Sequence, residues 1–262
     1  MNRSSDPFLP CVGAITSADI AVPEHAREVS FYSRVLGTGP EPLWRDDLMN
    51  NCGMPVIGLG ERSDAYAQLP LQWMPHIQVA DVATSVARAL SLGGSELMHG
   101  KDEAGNSQWA VLLDADGAAF GVIPVPPPGS QAGDAELPED ATRVGRITHV
   151  ELTVTDAARA DEFYGQVVGW TSRALDHAAS NPTFELVDQS GNLAARILTR
   201  DESNSNRPAA WLLCLPVADF AASLERVREG GGAVLEEARA PEHGQFAVIR
   251  DPVGACLALV AP

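Results

Sequence analysis

Apolar and polar residues alternate over 147–155. Val150, Leu152 and Val154 fall on one side, and His149, Glu151 and Thr153 on the other. That period of two predicts a half-buried strand. Asp156 follows as a helix N-cap. Ala160, Phe163, Tyr164 and Val167 then recur at helical spacing until Gly169 ends the helix. Three short strands are predicted next, at 170–175, 183–187 and 193–198. The plan then starts again, with a strand over 211–217, a helix over 219–229, a stop at Gly230, Gly231 and Gly232, and strands at 233–236, 246–249 and 255–260. Each unit reads βαβββ.

The N-terminal half carries the same plan. Val12-Gly13 recurs at Val144-Gly145, Phe31-Tyr32 at Phe163-Tyr164 and Gly37 at Gly169. Further along, Trp73 recurs at Trp211, Val79-Ala80-Asp81 at Val217-Ala218-Asp219, and Asp114 with Gly117-Ala118 at Asp251 with Gly254-Ala255. An ordered series of this kind marks an internal repeat whose small drift in offset reflects loop insertions. Between the copies, 124–142 holds Pro126-Pro127-Pro128-Gly129-Ser130 and the acids Asp134, Glu136, Glu139 and Asp140. Proline, glycine and like charges make a poor core element, so this segment is expected to be an extended linker. The expected domains are 11–124 and 143–262, joined by 125–142.

Composition narrows the function. The 262 residues are 45% hydrophobic and 20% charged, as in a globular protein. A net charge of -17, with no basic stripe, argues against a nucleic-acid partner. No apolar run is long enough to span a bilayer, and residues 1–10 lack the apolar stretch of a secretory signal. The four cysteines are scattered without a C-x-x-C, so reduced thiols in a cytoplasmic protein are expected. Gly58-Leu59-Gly60 lacks the strand-to-helix context of a dinucleotide loop. The expected partner is a small, mostly apolar ligand, and a homodimer is compatible with these features.

An Asp cap, then F-Y, then x-x-x-x-G, as in Asp156 through Phe163-Tyr164 to Gly169, resembles the vicinal-oxygen-chelate superfamily of glyoxalases, bleomycin-resistance proteins and extradiol dioxygenases. The late D-P-x-G-A at Asp251-Pro252-Val253-Gly254-Ala255, and its degenerate copy Asp114-Ala115-Asp116-Gly117-Ala118, resemble it too. The resemblance covers the chain apart from the linker and the first ten residues. It implies an α+β fold of two tandem domains. Each would be a curved eight-stranded sheet built from two βαβββ units, with helices on the convex face and a ligand cup on the concave one. The chemistry is left open, because such a fold hosts isomerisation, ring cleavage and simple sequestration alike.

Alternation assigns the cup-facing side chains: Ser17, Asp19, Met74, His76, Ala119 and Gly121 in the N-terminal copy, and His149, Glu151, Leu212, Cys214, Cys256 and Ala258 in the C-terminal one. Many members of the superfamily hold a divalent metal there. The resemblance would put its first ligand seven residues before the capping acid, at His149, with partners at Leu212 and Ala258. The N-terminal equivalents are Ser17, Met74 and Gly121. His149 alone does not make a site, and Leu212, Ala258, Met74 and Gly121 cannot bind a metal, so no metal and no other cofactor is expected, with residues of the fourth strands left as the one source of further ligands. Asp19 and His76 occupy equivalent places in the two N-terminal units. If those units are related by a pseudo-twofold, the two side chains meet near its axis, where a carboxylate raises an imidazole pKa as a general base requires. His149 and Glu151 form the C-terminal polar candidate. Met74, Leu212, Cys214, Cys256 and a rim residue, His243, are the expected ligand contacts, with Cys214 disfavoured as a nucleophile by Glu151. Trp73, Trp211 and the F-Y pairs are expected in the core, with the tyrosine hydroxyls reaching a backbone carbonyl or the domain interface. Two readings remain: an enzyme using these acid–histidine groups for proton transfer, or a sequestration protein in which they only orient the ligand.

Overall fold

A computed structural model describes residues 10–38, 43–44, 48–51, 54–127, 146–174, 183–240 and 244–261. The N-terminal half runs β1 (Ile15–Val22), α1 (His25–Leu36), β2 (Leu43–Trp44), β3 (Leu48–Asn51), β4 (Met54–Glu61), β5 (Met74–Val79), α2 (Val82–Ser91), β6 (Ser95–Lys101), β7 (Ser107–Leu113) and β8 (Ala119–Pro124). The C-terminal half repeats it: β9 (His149–Val154), α3 (Ala157–Val168), β10 (Thr171–Ala174), β11 (Thr183–Val187), β12 (Leu193–Thr199), β13 (Leu212–Pro216), α4 (Phe220–Glu229), β14 (Ala233–Ala240), β15 (Gly244–Arg250) and β16 (Cys256–Val260). Residues 128–142 of the expected linker, and Val144-Gly145, lie outside the described residues. No helix among the described residues is long and apolar enough to cross a membrane.

Each half forms one eight-stranded sheet, in the orders β2-β3-β4-β1-β5-β8-β7-β6 and β10-β11-β12-β9-β13-β16-β15-β14. The first strands of the two units pair antiparallel at the centre, β1 with β5 and β9 with β13. Each first strand also pairs parallel with the last strand of its own unit. The four strands nearest the axis are therefore the ones whose alternation decides what enters the cup.

The capping residues behave as their chemistry dictates. Asp81, Asp156 and Asp219 accept from the backbone N–H three residues on, whereas Glu24 makes no such cap. Gly37 and Gly169 end α1 and α3 in the left-handed conformation.

The helices of one half pack on those of the other, α1 against α4 and α2 against α3. Both convex faces thus share one continuous core that includes Trp73, Trp211, Phe31, Phe163 and Phe120. Ser85 Oγ donates to the Val167 carbonyl and Ser223 Oγ to the Val35 carbonyl, the same bond made twice across the pseudo-twofold. The tyrosine hydroxyls reach the domain interface as expected, but they donate to carboxylates rather than to carbonyls. Tyr32 bonds Asp251 and Tyr164 bonds Asp114. With the convex faces covered, the concave faces point outward on opposite sides.

Candidate functional site

The two cups share a backbone plan but are furnished differently. In the N-terminal cup Ser17 and Asp19 stand two apart on β1. Their register partners on β5 are His76 and Met74. The His76 ring lies between the two β1 side chains. Its Nδ1 is 2.9 Å from Ser17 Oγ and its Nε2 is 3.2 Å from Asp19 Oδ2. Gly121 on β8 pairs with His76, and a Cβ there would come within 2.8 Å of the imidazole. The glycine therefore makes room for the ring.

Burial works against charge on both partners, but their mutual attraction and hydrogen bond win. Asp19 is held below its ordinary value and His76 above its own. The pair is reachable, with the Asp19 side chain 47% exposed. Around it Met74, Ala21, Leu69 and Ala119 form an apolar floor, backed by Met98, Val111 and Leu113. Ser17, absent from the expected catalytic set, completes a Ser–His–Asp hydrogen-bonded series. Its position in the alternation of β1 was the available signal.

The C-terminal cup is filled from within. His149 and Glu151 are both buried, with His149 Nε2 3.5 Å from Glu151 Oε1. Two arginines that the sequence reading did not single out close over them. Arg196 on β12 pairs in register with both Glu151 and Glu185. Its guanidinium bonds Glu185 at 2.9 Å, and its Nη1 lies 3.4 Å from His149 Nε2 and 3.9 Å from Glu151 Oε1. Arg207, from the loop before β13, donates to Glu151 Oε2 and, through two nitrogens, to Glu236, all at 2.9 Å. It also lies over the Phe246 ring. Leu212 and Cys214 lie in the buried apolar floor with Val248 and Ala258, so neither reaches open surface. Burial first, and the Glu151 charge second, push the Cys214 thiol far up. Cys256 flanks this floor with its thiol pushed up to about 11. His243 lies outside the described residues.

The divalent ion implied by the superfamily does not fit these residues. In the N-terminal cup, Met74 and Gly121 stand where ligands are needed, and the His76 ring nitrogens are engaged by Ser17 and Asp19. In the C-terminal cup, His149, Glu151 and Cys214 lie close enough to chelate, but a guanidinium already faces His149 and Glu151. A further recess, lined by Leu92, Asp116, Arg159 and Phe163, lies between the domains and away from both cups.

Comparison with known proteins agrees with this architecture. A family model described as a glyoxalase-like domain matches twice, at residues 17–123 and 149–260. The chain is 26% identical over 195 residues to CFP32 of Mycobacterium tuberculosis (strain CDC 1551 / Oshkosh), which carries a glyoxylase name, covering 74% of this chain and 71% of that one. It is 26% identical over 193 residues to the anthracycline biosynthesis protein DauV of Streptomyces sp. (strain C5), covering 73% of this chain and 66% of the relative. Among solved structures, the 2,2',3-trihydroxybiphenyl 1,2-dioxygenase of Sphingomonas wittichii strain RW1 superposes with a TM-score of 0.59 at 16% identity, over 97% of this chain and 91% of that one. That likeness is one of fold.

Proposed function

The chain belongs to the glyoxalase-like domain family, in both of its halves, and from that premise we propose that it is a small-molecule enzyme whose working cup is the N-terminal one. The Asp19–His76 pair transfers a proton there without a metal. The observation that carries this reading is the 3.2 Å contact between Asp19 and His76 on a concave face where both side chains keep some exposure. The His76 imidazole, held above the ordinary value by the neighbouring Asp19 carboxylate, is a group that can take up and release a proton, as a general acid–base catalyst must. Asp19, the more exposed partner, faces the ligand. Asp19 takes the proton from the ligand and passes it to His76 Nε2, from which it returns by the same path, and Ser17 fixes the ring through Nδ1. The apolar floor selects a ligand with a substantial hydrocarbon face. The anthracycline name of DauV supports a polycyclic aromatic ketone as the class to test first.

A binding-only role has one observation in its favour, because both imidazole nitrogens already have protein partners. Carbon–hydrogen exchange separates the two readings. Polycyclic aromatic ketones and the hemithioacetal of methylglyoxal would be incubated with the protein in D2O containing EDTA and followed by NMR. Proton transfer predicts exchange that disappears in Asp19→Asn and His76→Ala. Ligand binding without exchange in the parent would establish sequestration instead. Exchange that requires added divalent ion would contradict metal independence.

A further inference from the structure

The C-terminal cup holds an arrangement that neither the fold nor the proposed reaction requires. His149 Nδ1 is 3.1 Å from Thr148 Oγ1, and that hydroxyl donates to the Cys214 carbonyl at 3.1 Å. With its own proton committed, Thr148 Oγ1 faces the ring as an acceptor, which matches a proton on His149 Nδ1. Nε2 then faces Arg196 Nη1, 3.4 Å away. This is the tautomer that binds a metal through Nε2, oriented by a fixed bond on the other nitrogen. Glu151 presents Oε1 to the same guanidinium, while its Oε2 is held by Arg207. The ligating atoms of His149, Glu151 and Cys214 all lie within 4.8 Å of one another. A tetrahedral zinc-type site, with bonds of about 2.0–2.3 Å, needs donors roughly 3.3–3.8 Å apart, so a modest closing movement would suffice.

We propose that the Arg196 guanidinium is a built-in cation that takes the place of a divalent ion in the C-terminal cup, and that His149, Glu151 and Cys214 would bind such an ion once it is removed. Nitrogen, carboxylate and thiolate donors suit zinc or cobalt(II) rather than magnesium or calcium. The guanidinium blocks the site in two ways. It occupies the lone pair that a metal needs, and it puts a fixed positive charge beside the place where a second cation would sit. Glu185, bonded to Arg196 at 2.9 Å, anchors it there. The proposal concerns this cup alone and stands whether or not the N-terminal pair is catalytic.

Cobalt(II) titration of the folded protein tests it, because a cobalt–thiolate bond gives a near-ultraviolet charge-transfer band and tetrahedral cobalt gives intense visible bands. The parent should develop neither. Arg196→Gln should bind one cobalt per chain with both features. The charge-transfer band should vanish in Arg196→Gln/Cys214→Ser, and binding should weaken at least tenfold in Arg196→Gln/His149→Ala. Arg196→Lys, which keeps a cation, should stay metal-free. Glu185→Gln/Arg196→Gln removes both partners of the ion pair and serves where the single variant does not fold. Tight thiolate-bound cobalt in the parent, or a folded glutamine variant that binds none, would overturn the proposal.

Discussion

Tyr32 of the N-terminal domain donates its hydroxyl proton to Asp251 of the C-terminal domain at 2.8 Å, inside the shared core. The same hydroxyl accepts from Trp73 Nε1. Asp251 is fixed in turn, its Oδ1 accepting from the backbone N–H of Val253, Gly254 and Ala255. The reciprocal series runs from Trp211 through Tyr164 to Asp114. The F-Y and D-x-x-G-A motifs are therefore two ends of one device that locks each domain to the other. Tyr32→Phe and Tyr164→Phe should each destabilise the fold by about 1–3 kcal/mol, since each leaves a buried carboxylate short of a donor. Urea unfolding of the single variants checks this. The loss should appear in one cooperative transition, because the domains share a core.

Glu28 on α1 is fully buried, with its carboxyl facing that of Asp251. Burial first, and the Asp251 charge second, push its carboxyl from an ordinary 4.5 up to about 8. An acid whose folded pKa is raised stays protonated while the unfolded chain ionises. Stability therefore falls as pH rises from about 4.5 to about 8 and then levels off. Glu28→Gln removes that loss. It should leave the melting temperature at pH 4 little changed and raise it at pH 9, as thermal denaturation across that range would show. Equal shifts at both pH values would contradict the assignment.

The C-terminal network makes a different prediction. Arg207 and Glu151 are both nearly buried and bonded at 2.9 Å. Removing one partner strands the other charge, so Arg207→Ala should cost about 3–5 kcal/mol. Replacing Arg207 and Glu151 together, by methionine and glutamine, should recover part of this. A double variant no more stable than the single one, in denaturant titration, would show that the ion pairs do not act as a unit.

Periodicity made the elements, the repeat and the cup-facing positions legible. Ala18 and Ile20 enter the shared core while Asp19 faces the cup, and Trp73 and Trp211 lie in that core. The packing of the two convex faces was not legible, because helical amphipathicity shows that a face is buried but not against what. Arg196 and Arg207 escaped notice for a related reason. A lone arginine in a strand or loop reads as solvated, and only the register of β12 against β9 and β11 brings Arg196 to Glu151 and Glu185. Glu28 was equally hidden, since an acid in the first turn of a helix ordinarily faces water and complements the helix dipole.

Gly121→Ala tests the room left for the His76 ring. The added Cβ would stand 2.8 Å from the imidazole, so the ring must shift and lengthen its contact with Asp19. The His76 pKa should fall while the fold, read by circular dichroism, is kept. An unchanged pKa would mean that the neighbouring strand gives way instead.

The central claim is that Asp19 and His76 act as one proton-holding pair, and an NMR titration of His76 tests it most directly. The resonance is assigned by its loss in His76→Gln. In the parent its midpoint should lie above the ordinary 6.5, because attraction to Asp19 outweighs burial. A raised imidazole pKa stabilises the fold below the unfolded value, and that contribution is lost as pH rises through the folded midpoint. The Asp19 contribution, from a lowered pKa, is present above about 3.8 and lost as pH falls through its folded value, so the pair supports the fold most between about 4 and 6.5. In Asp19→Asn only the burial penalty remains, and the His76 midpoint should drop below 6.5. A parent midpoint at or below 6.5, or one that Asp19→Asn leaves unmoved, would contradict the pairing and the mechanism built on it.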